Sequence, residues 1–343
     1  MTTLKRLGFF TRLLDDAPPA ERYRLATAQI AHAEACGFDS AWVAQHHFHE
    51  DEGGLPAPFV FLSQLAARTS RIRLGTGIVT LPLELPIRVA EDAAVLDLLA
   101  DGRLEVGIGP GGNLSAFHAF GLESAERGAI FSRNAALLLD AWSGRPLPGG
   151  DRLYPTNPSL VDRVWQATFT VDGARRAGAA GDGLMLSRTQ PRTAEAPNAT
   201  LADIQNPMVD AYLGALPAGR EPRIMASRSV FVTDERKEAM RLAEIGLGRF
   251  RTRLESVGRD TRGGATLAEM IHTFDVHLGT PAEVIASLQA DSTIARATDL
   301  AVQVHSIDPP HPFILRSLEL VAEVVAPAMG WVRDGVPGMR HVA

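Results

Sequence analysis

Gln45, His46, His47, Phe48 and His49 close an apolar run, AWVA, with Glu50 and Asp51 directly behind them. Imidazole is the side chain that most readily takes or gives a proton near neutral pH. A histidine at the C-terminal end of a strand is therefore a natural general acid, general base or hydrogen-bond donor. Neighbours on an extended chain point to opposite faces, so at most one of His46 and His47 can face a common site. The same geometry argues against a metal. Zinc ligands on a short segment lie one helical turn apart or are spread over several strands, and no metal is expected. The alternative is that one histidine packs beneath a loop while the others are solvated.

A second group of residues suits an anion. Thr168–Arg176 (TFTVDGARR) joins the end of an apolar run to the start of a helical pattern. Thr170 can cap that helix, and Gly173 would let a phosphate approach backbone N–H groups at its positive end. Arg175 and Arg176 could add charge. The alternative is an ordinary capped helix. Gly107, Gly109 and Gly112 also satisfy G-x-G-x-x-G after a strand, the dinucleotide fingerprint. Pro110 and the following NLSAF do not open the helix it needs, and no acidic strand end about 20 residues on offers a ribose contact. A Rossmann site is rejected.

Two glycine pairs stand out among the elements that would position these groups. Gly75 and Gly77 lie two apart in Ile72–Val79, as do Gly107 and Gly109 in Leu104–Gly109. Residues two apart on a strand share a face, so two successive strands each present a bare strip. Such glycines weaken a strand, and the space they leave is expected to hold something flat and large.

The remaining elements alternate. Strands are expected at Arg6–Phe10, Ser40–Ala44, Ile72–Val79, Leu104–Gly109, Val164–Phe169, Gly183–Ser187, Arg223–Val232 and Asp299–His305. Helices are expected at Ala20–Cys36, Phe59–Thr69, Pro86–Ala100, Arg127–Trp142 and Arg236–Val257. Alternation implies parallel pairing with crossovers of one hand. Eight such units favour an α/β fold of the (β/α)8 TIM-barrel type, a single domain over residues 1–343, with insertions in loops at the C-terminal face of the strands. The loops Gly144–Pro158, Arg188–Asn198 and Gly258–Thr266 exceed what a minimal barrel needs. The latter two are candidate lids.

Composition bounds the class. With 343 residues, 45% hydrophobic, the chain has the make-up of an ordinary soluble globular protein. A net charge of −6 argues against nucleic acid as the main partner. The lone Cys36 excludes an intrachain disulfide and fits a reducing, cytoplasmic location. The segment MTTLKRLGFF reads as neither signal peptide nor membrane span.

The segments AWVAQHHFHED from Ala41, RIRLGTGIVTLPLELPIRVAEDAAVLDLLADGRLEVGIGPGG from Arg71, FHAFG from Phe117 and GTPAEVIASLQAD from Gly279 resemble the flavin-dependent luciferase-like monooxygenases, in the family's order. The resemblance implies a barrel that binds reduced FMN from a separate reductase and uses O2 to oxygenate a small organic substrate through a flavin peroxide. Related barrels use a deazaflavin for hydride transfer, and a non-catalytic flavin-binding subunit is a third possibility. By position, His46 matches the catalytic histidine beside the flavin. Thr76 and Gly77 match the ring site, with Gly77–Ile78 at a non-proline cis peptide. Gly109 matches the end of the fourth strand, Thr170 and Gly173 the phosphate-binding turn, and Ser187 and Arg188 the end of the sixth strand. Gly109 and Pro110 stand where bacterial luciferases carry a reactive cysteine and a phosphate-binding arginine, with Arg176 or Arg188 as substitutes. Arg188 also replaces the luciferase tryptophan, so light emission from an aldehyde is not expected. Phe59–Ala67 is apolar nearly all round, which fits a homodimer through the helices after strands two and three, as in that family. The substrate itself is not legible.

Overall fold

A computed structural model describes residues 5–256 and 266–331. Its strands are β1 (Arg6–Thr11), β2 (Ser40–Val43), β3 (Arg73–Thr76), β4 (Val79–Thr80), β5 (Leu104–Gly109), β6 (Val164–Ala167), β7 (Gly183–Leu186), β8 (Ile224–Val232), β9 (Val276–Gly279) and β10 (Asp299–Gln303). All pairings are parallel, in the order β10-β1-β2-β3-β5-β6-β7-β8, and β8 pairs back onto β10. The sheet is thus a closed eight-stranded barrel, with β4 continuing β3 and β9 added beside the C-terminal end of β8. This is the expected fold.

The expected strand Ile72–Val79 is divided. Leu74 and Gly75 face Leu104 and Glu105, whereas Val79 and Thr80 face Ile108 and Gly109, a slip of one residue. The Gly77–Ile78 peptide in the break is cis, as the resemblance implies. A slip of this kind leaves backbone groups of the partner strand without ladder bonds. Here the Thr76 hydroxyl supplies them, donating to the Gly107 carbonyl at 2.8 Å and accepting from the Gly107 N–H at 2.9 Å.

The glycine strips do not frame a void. A Cβ on Gly75 would stand 2.2 Å from Trp42 Cε3, on Gly77 2.4 Å from Phe10 Cε2, on Gly107 2.1 Å from the Thr76 carbonyl oxygen, and on Gly109 2.4 Å from Ile78 Cδ1. The expected hollow is filled by the protein's own atoms. Barrel interiors alternate large and small side chains because the space inside is fixed. Here the large members are Trp42 and Trp165, packed edge to face at 5.7 Å, with Met185, Met225 and Ala301. Gly183, where a Cβ would stand 2.2 Å from Trp165 Cε3, makes room in the same way as Gly75. Phe10, Ile78 and Ala167 pack against this interior and are only partly buried.

The helix Arg236–Ser256 is present, but it is not the crossover that the alternation suggested. Its C-terminal part bonds to loops that follow β2 and β10: Arg253 Nε to Asp51 Oδ2 at 2.6 Å, Arg253 Nη2 to Glu52 Oε1 at 2.9 Å, and Arg249 Nη2 to the Asp308 carbonyl at 3.2 Å. The Phe250 ring meets His305 at 4.9 Å. Gly246 permits the close approach, since a Cβ there would stand 1.9 Å from the Ile307 carbonyl oxygen. The helix therefore roofs the barrel mouth. The return to β10 is made by the helices Pro281–Gln289 and Ser292–Arg296. The segment Arg188–Asn198 is coil, tied down by Arg192 to Asp275 at 2.6 Å and to the Ala199 carbonyl at 3.1 Å. Gly258–Thr266 lies outside the described residues except for Thr266. No described helix is long and apolar enough to cross a membrane.

Candidate active site

His46 follows β2, with its N–H donating to the Leu55 carbonyl at 2.9 Å. Its side chain is 24% exposed, and Nδ1 stands 4.0 Å from Glu52 Oε2. Glu52 is already engaged by Arg253 at 2.9 Å and by the Asn113 amide. Burial, then the charges of Arg12, His305, Arg253 and His47, hold the His46 pKa well below its ordinary value, so the ring is neutral at physiological pH. The other two histidines leave this site. His47 stacks edge-on against Phe120 at 5.1 Å, and His49 Nε2 meets Ser115 Oγ at 3.0 Å. Among the described residues no three His, Cys, Asp or Glu side chains converge as a metal site.

Arg188 reaches the mouth from the end of β7. Its Nη1 donates to Ser229 Oγ at 3.1 Å and Ser306 Oγ at 3.0 Å, and Ser229 Oγ donates to the His305 carbonyl at 2.6 Å. His305 Nδ1 and Asp308 Oδ2 are 2.6 Å apart. Burial pushes the Asp308 carboxyl up to about 7 and holds His305 well below its usual range. Both shifts draw the pair toward its neutral form. Arg12, after β1, donates to the Glu52 carbonyl. Arg12 and His305 both act electrostatically on His46, and Arg12 also acts on Arg188, so these two residues link the predicted histidine to the predicted arginine. Sequence reasoning missed Arg12, Asp308, Ser229 and Ser306. His305 entered only as a strand end, although a titratable residue at the C-terminal end of a barrel strand is itself a signal.

The other expected contacts are more mixed. Thr76 is completely buried and its hydroxyl is committed to Gly107, so only its backbone is left for a ligand. Gly77 and Gly109 seat Phe10 and Ile78 rather than lining open space. Ser187 Oγ accepts from the Thr189 N–H at 3.1 Å, and the Ser187 carbonyl accepts from Gln205 at 2.7 Å. Thr170 caps the helix Val171–Ala180, accepting from the Gly173 N–H at 3.0 Å. Gly173 is required by crowding: a Cβ there would stand 1.9 Å from Thr168 Oγ1. Arg175 pairs with Asp172 on the surface, and Arg176 bonds Gln166 at 3.2 Å with its guanidinium 5.1 Å from the centre of the Phe131 ring. Each of these two arginines thus has a partner of its own near the turn.

An apolar floor of Phe10, Ile78 and Ala167, rimmed by imidazole, guanidinium and hydroxyl groups at the C-terminal ends of parallel strands, defines a (β/α)8 barrel of the kind that works at its mouth. The sequence profile of the luciferase-like monooxygenases matches residues 7–296, and the chain belongs to that family of flavin-dependent oxidoreductases. The 4-hydroxyprotoasukamycin monooxygenase of Streptomyces nodosus subsp. asukaensis is 28% identical over 326 residues, 88% of this chain and 85% of that protein. The structure of monooxygenase RslO1 from Streptomyces bottropensis is similar with a TM-score of 0.76 at 26% identity, covering 94% of this chain and 99% of that one. Two further structures share the fold. The oxygenating constituent of Pseudomonas putida 3,6-diketocamphane monooxygenase, in complex with FMN, gives 0.73 at 19% identity, covering 94% and 98%. The coenzyme F420-dependent tetrahydromethanopterin reductase of Methanopyrus kandleri gives 0.67 at 19%, covering 95% and 99%.

Proposed function

We propose that this chain is an FMN-dependent monooxygenase that receives reduced FMN from a separate reductase and uses O2 to oxygenate a small organic substrate. The observation that carries this reading is the floor and rim of the barrel mouth. Phe10, Ile78 and Ala167 offer a partly buried apolar surface packed against the tryptophan cluster, and such a surface suits one face of an aromatic ring system. Ser187, Arg188 and His46 would meet the ring's polar edges, and the turn at Thr170 would take the phosphate. These residues fit a flavin. When bound in reduced form, the flavin supplies the electrons that activate oxygen.

The chain's own residues then have three tasks. His46 is neutral; with Nδ1 turned to Glu52, Nε2 is the atom that gives or takes a proton. The helix Arg236–Ser256 and the anchored loop after β7 cover the mouth, which excludes water from a reaction that water would divert. The third task is substrate selection, which falls to the wall around Arg188.

Adding FMN, supplied reduced, to the purified protein under air tests the reading, with stopped-flow absorbance and oxygen consumption as readouts. Saturable binding and accelerated reoxidation support it. Tight F420 binding with no FMN binding would replace it with the deazaflavin hydride-transfer reading. Bound FMN with no effect on its reoxidation would leave a non-catalytic flavin-binding subunit.

The homodimer belongs to the same proposal. Val60, Leu85, Val95, Leu98 and Leu99, on or beside the helices Pro58–Ala66 and Pro86–Leu99, are 46–75% exposed. An apolar face of that extent suits a second copy, and light scattering of the eluted protein gives its mass.

A further inference from the structure

The wall of the mouth built by β7, β8, β10 and β1 holds two arginines on which carboxylates (Asp308, Glu52 and Asp51 for Arg12, Asp308 and Asp275 for Arg188) act only as electrostatic neighbours and not as ion-pair partners. Arg188 is 3% exposed, and its bonds are the two to serine hydroxyls; Nη2 is buried without a partner. The other deeply placed arginines are better served. Arg228 meets Asp291 at 2.6 Å, Arg163 meets Asp97 at 2.6 Å, and Arg103 donates to four backbone carbonyls and a threonine hydroxyl. Among the described residues neither Arg188 nor Arg12 forms an ion pair. Arg12 Nε is also buried without a partner, as is Nε2 of His305, whose residue is 4% exposed.

A buried guanidinium without a counter-ion is costly, and two that repel one another are more so. Burial and the Arg12 charge lower Arg188 to about 9, while burial lowers Arg12 to about 10. Both remain protonated at neutral pH. Burial pushes the Asp308 carboxyl up to about 7, so at neutral pH it is only partly ionised and offers a reduced counter-charge.

We propose that this wall receives the anionic head of the substrate, a carboxylate or sulfonate held by Arg188 and Arg12. The proposal rests on the mouth being the active site and narrows the substrate class to organic anions. Two oxygens of such a head can accept from the free Nη2 and Nε donors, the charge-assisted arrangement for which guanidinium is best suited. The chemistry would also serve a flavin phosphate, and Arg188 follows β7, next to β6 and its Thr170 turn; its Nη1, however, is bonded to Ser229 of β8 and to Ser306 after β10, and Arg12 follows β1, opposite β6 in the barrel.

Hexanoate, hexane-1-sulfonate and 1-hexanol serve as probes, titrated calorimetrically at constant ionic strength into the full chain, with and without FMN. Both anions are expected to bind at least about ten-fold tighter than the alcohol, ~1.4 kcal/mol. R188Q and R12Q should each abolish that preference, and R188K should keep part of it. FMN affinity should stay within about two-fold of wild type in R12Q, and any weakening of FMN in R188Q should be matched by riboflavin, because Arg188 meets the ring edge and not the phosphate. Equal binding of anions and alcohol overturns the proposal, as does an intact preference in R188Q. Loss of FMN but not riboflavin binding in R188Q also overturns it, by assigning Arg188 to the cofactor phosphate. If R188Q fails to fold, R12Q decides alone. Anion preference without reaction of reduced FMN would sink the monooxygenase reading and leave the anion receptor standing.

Discussion

Thr76→Val separates a structural hydroxyl from a cofactor contact. Valine matches threonine in shape, so the change opens no cavity; it replaces the hydroxyl that both donates to and accepts from Gly107. Thr76 is completely buried, and water cannot substitute. Two backbone groups lose their partner, and each such loss costs about 1–3 kcal/mol. Relaxation at a strand break that already slips recovers part, which leaves a net loss of ~3 kcal/mol. In a chain of this size each kcal/mol lowers Tm by roughly 2 °C, so the variant should melt about 6 °C below wild type. Thr76→Ser keeps the hydroxyl and loses one methyl, about 1 kcal/mol, and should melt about 2 °C lower. Calorimetric melting of the three proteins at one pH, with FMN titrations beside it, makes the comparison. The reasoning fails if Thr76→Ser falls as far as Thr76→Val. It also fails if Thr76→Val melts like wild type while FMN binding drops, because the hydroxyl would then serve the cofactor.

His46→Ala should leave FMN affinity within about two-fold of wild type but lower substrate oxygenation roughly 100-fold, with hydrogen peroxide released in its place; unchanged product yield would remove His46 from the chemistry. Thr170→Asp keeps an N-cap and adds a negative charge at the turn, so FMN should weaken roughly ten-fold while riboflavin barely changes; equal weakening contradicts the phosphate placement. Arg253→Gln releases Glu52, 4.0 Å from His46 Nδ1, from its cation, and should raise the His46 pKa. In the wild type, His46 is held well below 6.5 in the folded chain, so below that pH the unfolded state binds more protons and stability falls with acid. The variant's fall in Tm between about pH 7.5 and about 5.5 should be shallower, and parallel slopes would refute the coupling.

What the sequence made legible follows from the range of its signals. Leu104–Gly109 and Arg127–Trp142 form as bounded, because hydrophobic periodicity reports a face that is buried locally. The glycine strips misled for a physical reason: a glycine records that a side chain is missing, not what takes its place. At Gly75 the occupant is Trp42, delivered by the neighbouring strand, and no local pattern reports that. The slip in β3–β4 was hidden too, since Thr76 is an ordinary strand residue until its hydroxyl is seen bridging to Gly107. The helix Arg236–Ser256 was readable as a helix but not as a roof, because its path depends on Asp51, Glu52 and Asp308, which are far from it in the chain. The rim divides in the same way. His46 and Arg188 lie in segments with a recognisable pattern, whereas Arg12 and Asp308 follow the first and last barrel strands and meet only because β10 closes onto β1.

That closure also explains why the mouth can hold opposite proton states side by side. Glu52 could charge His46, but Arg253 of the roof and the Asn113 amide take up its oxygens. The nearest remaining charges on His46 are cationic. On the facing wall Asp308 could neutralise Arg188, but burial draws it toward the neutral form and its Oδ2 is engaged by His305. In both places a carboxylate close enough to cancel a function is tied up by a third residue. One side thereby keeps a neutral imidazole for proton transfer and the other keeps guanidinium charge for binding. The roof helix contributes to both sides, through Arg253 at Glu52 and through Phe250 against His305, so closing the mouth and setting its charges are one structural event.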